Sequence, residues 1–221
     1  MSRLRAFVVL TAMLVALSLM ASCAVKRADV PRHEGITLDQ ALADLRSIKS
    51  IEAVLAVEYR KEDSVMTGDA FLSLSEKALT LRLYYLGFLA GEIHEEEGAI
   101  RSTPKIDRNK STLLVDGLRS GIFWWNVPDY AVTEEGELYV LKNTSTKVTV
   151  SKDTLLPVEQ VIELNNGDSL RITYNEPARI DVEEGEPADL SPILQWYPSR
   201  LNIELRNHAV RIKVKSYTFR K

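Results

Sequence analysis

Two hydrophobic periods run along this chain. Between Thr37 and Lys49, Leu38, Ala41, Leu42, Leu45 and Ile48 recur at steps of three and four, which places them on one stripe of a helix that Thr37 can cap. Beyond Ser50 the step drops to two. Leu55, Val57 and Tyr59 alternate with Ala56, Glu58 and Arg60, "KEDS" turns the chain, and Ala70, Leu72 and Leu74 alternate with Phe71, Ser73 and Ser75. After a turn near Glu76 and Lys77, Leu79, Leu81, Leu83 and Tyr85 continue the pattern. The second half repeats it through Leu138 and Val140, Val148 and Val150, and Val158, Gln160, Ile162 and Leu164. "NNGD" then turns into Leu170, Ile172 and Tyr174, and Leu201, Ile203 and Leu205 meet Val210, Ile212 and Val214 across "RNH" in a terminal hairpin. Between the halves, Leu113, Leu114, Leu118, Ile122 and Trp125 are spaced as on a helix over Thr112 to Trp125. Gly117 and Gly121 oppose it, since each costs about 1 kcal/mol in a helix interior.

The pattern predicts a mainly β chain with helices (α+β). Its strongly curved antiparallel sheet has roughly nine or ten strands, with only about two helical segments on the concave side. A sheet with so little cover can enclose a cavity. Neighbouring helix positions point about 100° apart, so of Trp124 and Trp125 at most one is expected squarely in the core, Trp125 being the inward choice.

A third pattern precedes the helix. Arg3 and Arg5 form a basic start and Ala6 to Leu19 an apolar run, a secretory leader too short for a membrane span. Ala21 and Ser22 lead into Cys23, the one cysteine, and "SLMASC" resembles the lipobox of bacterial lipoproteins, with Met20 where leucine is commoner. The resemblance implies cleavage before Cys23, its acylation, and stable anchoring, because several acyl chains hold where one does not. The expected organisation is a signal peptide at 1–22, a lipidated tether at 23–35 and one domain at 36–221. Ala24, in place of the aspartate that retains lipoproteins at the inner membrane of enteric bacteria, points to the periplasmic face of the outer membrane. Removing Arg3 and Arg5 from the 28 basic side chains leaves 26 against 31 acidic ones, a formal charge of −5 that argues against a nucleic-acid partner.

Within the domain, "YPSRLNIELRNHAVRIKVKSYTF", "LLVDGLRSGIFWWNVPDY" and "LRLYYLGFLAGEIHEEEG" resemble the last hairpin, the helical lid, and the strand, protruding loop and return strand of the LolA/LolB lipoprotein-carrier family. That likeness implies a half-open barrel closed by helices around an apolar cavity for acyl chains. It also implies a membrane-facing loop at Leu86, Gly87, Phe88 and Leu89. On composition alone, "LGFLAG" reads equally as a buried strand end. The cavity candidates are Leu114, Leu118, Ile122 and Trp125 from the lid, with Leu55, Val57, Leu72, Leu81 and Leu83 from the sheet. For any one of them the ordinary reading is plain packing.

Catalysis finds little support. His33, His94 and His208 are scattered, "HEEEG" lacks the second histidine of a zinc-binding helix, and neither a G-x-S-x-G elbow nor a phosphate loop occurs. The acidic runs Glu95 to Glu97, Glu134 to Glu135 and Asp181 to Glu186 lack the ligand spacing of a calcium loop and read as solvated turns. The expectation is a non-enzymatic protein without metal or cofactor. Its partners are the membrane, lipid or lipoprotein acyl chains, and a periplasmic carrier protein. The alternative is an assembly lipoprotein of the same fold with a filled core.

Overall fold

The first strand of the domain ends up beside the last. In the computed structural model, which describes residues 30, 32–180 and 191–221, β1 (Ser50–Lys61) pairs on one side with β2 (Ser64–Ser75) and on the other with β12 (His208–Arg220). From this seam the two halves spread outward. One runs through β3 (Ala78–Tyr85) and β4 (Phe88–Glu96) to β5 (Ala99–Thr103). The other runs through β11 (Trp196–Leu205), β10 (Ser169–Arg179), β9 (Pro157–Glu163), β8 (Thr146–Ser151) and β7 (Leu138–Lys142) to β6 (Ala131–Glu135). The result is one antiparallel sheet of 12 strands, unclosed, with β5 and β6 as its free edges. The leader, Cys23, most of the tether and Asp181 to Glu186 lie outside the described residues.

Two helical segments fill the concave side. α1 (Leu38–Arg46) starts at a capping box in which Thr37 Oγ1 accepts from the Gln40 amide and the Gln40 side chain accepts from the Thr37 amide. It stops at Arg46 rather than Lys49, because the Ser47 hydroxyl and amide both turn back to the Asp44 carbonyl. The lid comprises α2 (Arg108–Ser111), a π-helical turn (Thr112–Asp116) and α3 (Gly117–Ile122). Gly117 and Gly121, which weaken the helix by propensity, serve it by packing. A Cβ at Gly117 would lie 2.7 Å from Ile203 Cγ2, and one at Gly121 would lie 2.9 Å from Leu201 Cδ2. The lid is therefore pressed against β11.

Two expectations are corrected. Trp124 and Trp125 are both buried, because Phe123 leaves helical geometry (φ −95°, ψ 46°) and the two indoles follow a turn instead of helical steps. Val158 faces outward although Gln160 faces inward. A bulge at Thr149/Val150 shifts the register, so that Val150 pairs with Pro157 and Thr149 with Glu159. Buried Gln160 is satisfied by the Tyr174 hydroxyl, which donates to it at 2.8 Å. Strands β5 and β6, which the alternation did not predict, are short and largely exposed.

The end of the tether rests on the domain. Arg32 pairs with Asp153 at 3.1 Å and the His33 amide donates to the Asp153 carbonyl at 3.2 Å.

Candidate functional site

Three hairpin tips, β1–β2, β3–β4 and β11–β12, gather at one end of the sheet. The β3–β4 tip is a two-residue turn, with Leu86 (φ 51°) and Gly87 (φ 82°) both in the left-handed region. Gly87 meets that demand without strain; Leu86 does not, and a residue such as asparagine would serve the turn better. The leucine is nevertheless 80% exposed, beside Phe88 at 78%, with Tyr85 and Leu89 also exposed. Val65 and Met66, on the β1–β2 hairpin, add further exposed apolar surface at the same end. Exposed apolar side chains grouped in this way make the tip a candidate contact surface.

The cavity candidates lie elsewhere. Leu114, Leu118, Ile122, Trp125, Leu55, Val57, Leu72 and Leu81 are all buried in one core, with half-buried Leu83 packed against it. Of these, Ile122 and Trp125 line a partly open cavity of about 30 Å³ near α1, together with Leu45, Leu194, Leu201 and Tyr217. It has room for a water or two, not for an acyl chain. Among the described residues these side chains form a packed core.

Both ends of the lid are tied to the sheet. At the hairpin-tip end, Asp107 caps α2 by accepting from the Lys110 amide at 2.9 Å, an interaction that holds its carboxyl below the usual carboxylate range. Here Tyr59 Oη lies 2.6 Å from His208 Nδ1, and Asn109 Nδ2 lies 3.4 Å from His208 Nε2. At the far end, Arg119 donates to the Ser75 and Glu76 carbonyls at 2.8 and 3.0 Å and forms a close ion pair with Glu95. Glu95 also accepts from the Gly98 amide at 2.7 Å.

This corrects the reading of Glu95 as part of a solvated turn. It is 6% exposed on β4, and its partner comes from a segment 24 residues away. One signal was present in the sequence: Glu95 lies two positions from Ile93, so the alternation that turns Ile93 inward turns Glu95 inward too. By contrast, Glu134 and Glu135 are exposed and pair with Lys152 and Lys147.

No protein-family model and no curated protein sequence matches the chain. Solved structures do match in three dimensions. A LolA superfamily protein from Nitrosomonas europaea aligns over 85% of this chain and 95% of its own, at 10% identity and a TM-score of 0.53. An outer membrane lipoprotein-sorting protein domain from Vibrio parahaemolyticus aligns over 83% and 92%, at 11% identity and 0.52. A DUF1329 family protein from Desulfovibrio piger aligns over 82% and 91%, at 11% and 0.50. The chain has the LolA/LolB-like fold.

Proposed function

We propose that this protein is a lipid-handling lipoprotein of the bacterial envelope, held by an acylated Cys23 at the periplasmic face of the outer membrane. Its concave apolar face takes acyl chains of a lipoprotein, or of another lipid, and the Tyr85–Leu89 tip delivers them to the bilayer. The observation that carries this is the tip: Leu86 and Phe88, 80% and 78% exposed, project from a fold shared with lipoprotein-sorting and LolA superfamily proteins. No catalysis and no cofactor are needed, because each buried methylene favours the final site by about 0.8 kcal/mol, and a bilayer buries the chain more fully than a partly open barrel. A periplasmic carrier protein is the fitting donor.

The packed interior, with its cavity of about 30 Å³, favours a second reading: an assembly lipoprotein working through its exposed rim. Titration with a fluorescent acyl probe and displacement by an acylated lipoprotein peptide separates the two. Saturable, displaceable binding supports the carrier reading; a folded sample that binds nothing supports assembly. Leu86→Glu should leave folding intact and impair transfer to vesicles, and unchanged transfer would remove the tip from the account. Cys23→Ala should abolish acylation, as mass spectrometry of the membrane fraction would register.

A further inference from the structure

A second concavity lies on the open edge of the sheet. It is a solvent-open cleft of about 530 Å³, formed by Ile100, Arg101 and Ser102 of β5, Lys105 and Ile106 of the following loop, and Arg108 and Ser111 of α2. The loop is drawn across it by the Ile106 amide, which donates to Ser102 Oγ at 3.3 Å. On the neighbouring strand, Gly91 permits the approach of the Thr103 carbonyl, 3.1 Å from where a Cβ would stand.

Three of the lining residues are cations, and none of the three has a carboxylate within 4.0 Å among the described residues. Of the other described arginines, those at 32, 60, 82, 119, 171, 200, 206 and 211 each hold a carboxylate, while Arg46, Arg179 and Arg220 do not. The chain as a whole is acidic, with a formal charge of −3. The nearby carboxylates are engaged: Asp107 caps α2, and Asp168, which feels the charge of Arg108, is held by Arg206. Two arginine forks, a lysine and two hydroxyls line this one cleft, a donor set suited to phosphate oxygens.

The apolar residues set the class further. Ile106 packs against the core, and Ile100 lies exposed on the same edge. β5 pairs with β4, whose first residues, Phe88 and Leu89, belong to the apolar tip. We infer that the Arg101–Lys105–Arg108 cleft binds the phosphate group of an anionic amphiphile, with Ile100 and Ile106 receiving the first methylenes of its tail. This site is independent of acyl binding in the barrel interior. The shared chemistry is the phosphate group: a lipid headgroup brings the tail that the two isoleucines receive, and a small soluble phosphate ester would engage the cations alone.

The test uses the full chain in a non-ionic detergent. Native mass spectrometry measures binding of phosphatidylglycerol, with glycerol 3-phosphate as competitor, in the wild type and in the triple variant Arg101→Gln, Lys105→Gln, Arg108→Gln. All three positions are exposed, and unchanged near-ultraviolet circular dichroism from Trp124 and Trp125 checks that the core is intact. The expected result is phosphatidylglycerol binding weakened about a hundredfold in the variant, roughly fivefold for each cation removed. Glycerol 3-phosphate that binds as tightly as phosphatidylglycerol confines recognition to the phosphate and overturns the tail contacts at Ile100 and Ile106; much weaker glycerol 3-phosphate binding supports the lipid head with its tail. A folded wild type that binds neither compound, or a triple variant that binds as the wild type does, overturns the inference. The fluorescent acyl probe reads the barrel separately: loss of probe binding with an intact cation effect removes the carrier reading and leaves the cleft standing.

Discussion

Arg119 and Leu86 illustrate opposite compromises at single positions. Arg119 satisfies a carboxylate that the pleat of β4 carries inward, and Glu95 stands 6% exposed against it. Removing one partner of such a pair leaves a buried charge without compensation, a cost of about 3–5 kcal/mol. Arg119→Met should lose that much in urea unfolding, and Arg119→Met combined with Glu95→Leu should recover most of it. A double variant no better than the single would mean that the bonds from Arg119 to the Ser75 and Glu76 carbonyls, not the ion pair, hold the lid's far end. Leu86 reverses the trade, since it occupies a left-handed turn position (φ 51°) and buries almost nothing. Leu86→Asn should therefore raise stability by up to about 1 kcal/mol while weakening association with lipid vesicles in a flotation assay. Greater stability with undiminished flotation would show that the leucine is not retained for contact with lipid.

The lid is held at its start by a charge. The Lys110 amide lowers the Asp107 carboxyl below its ordinary 3.8, with burial opposing and the Lys110 and His208 charges assisting. A depressed carboxyl stabilises the fold fully above its ordinary value, and that contribution disappears as pH falls through the folded value. Asp107→Asn keeps a capping oxygen but has no charge to lose. Between neutrality and pH values below 3.8, thermal unfolding of the wild type should therefore shift further than that of the variant. Equal shifts would mean that capping, not charge, fixes this end. Asp107 also shows what the sequence concealed. Apolar spacing over Thr112 to Trp125 located the lid, yet it begins at Arg108 behind this unrecognised cap and ends at Ile122, where Phe123 departs from helical geometry. The inner strands and α1 were legible because they bury one face and expose the other, so period becomes pattern. β6, with all five residues exposed, has no face to alternate. The apolar tip was legible only through resemblance, since "LGFLAG" alone suits a core as well as a loop. The basic cleft draws on a strand, a loop and a helix that no periodicity links.

For the whole molecule, the carrier reading requires that a well-packed half-barrel admit an acyl chain. On that reading the lid is the element we expect to move, and Gly117 and Gly121 set how closely it lies on β11. Lifting it breaks the ties at Arg119 and Asn109 and exposes apolar surface, a cost that an incoming chain offsets at about 0.8 kcal/mol for each methylene buried. The two glycines should respond differently to a methyl group. At Gly121 the nearest atom is Leu201 Cδ2, the end of a flexible side chain that can rotate away. At Gly117 it is Ile203 Cγ2, fixed to a β-branched carbon at 2.7 Å, so the helix itself must shift. Gly117→Ala therefore gains about 1 kcal/mol of helix propensity and loses about 1–3 kcal/mol to overpacking. It should lower the unfolding midpoint and speed uptake of a fluorescent acyl probe in stopped flow, while Gly121→Ala stays nearer the wild type in both. The discriminating measurement is uptake rather than stability. A Gly117→Ala protein that is less stable but takes up the probe no faster has a lid that merely completes a core, and the rim then becomes the working surface. Faster uptake makes the tight seating of the lid the barrier that each acyl chain has to cross.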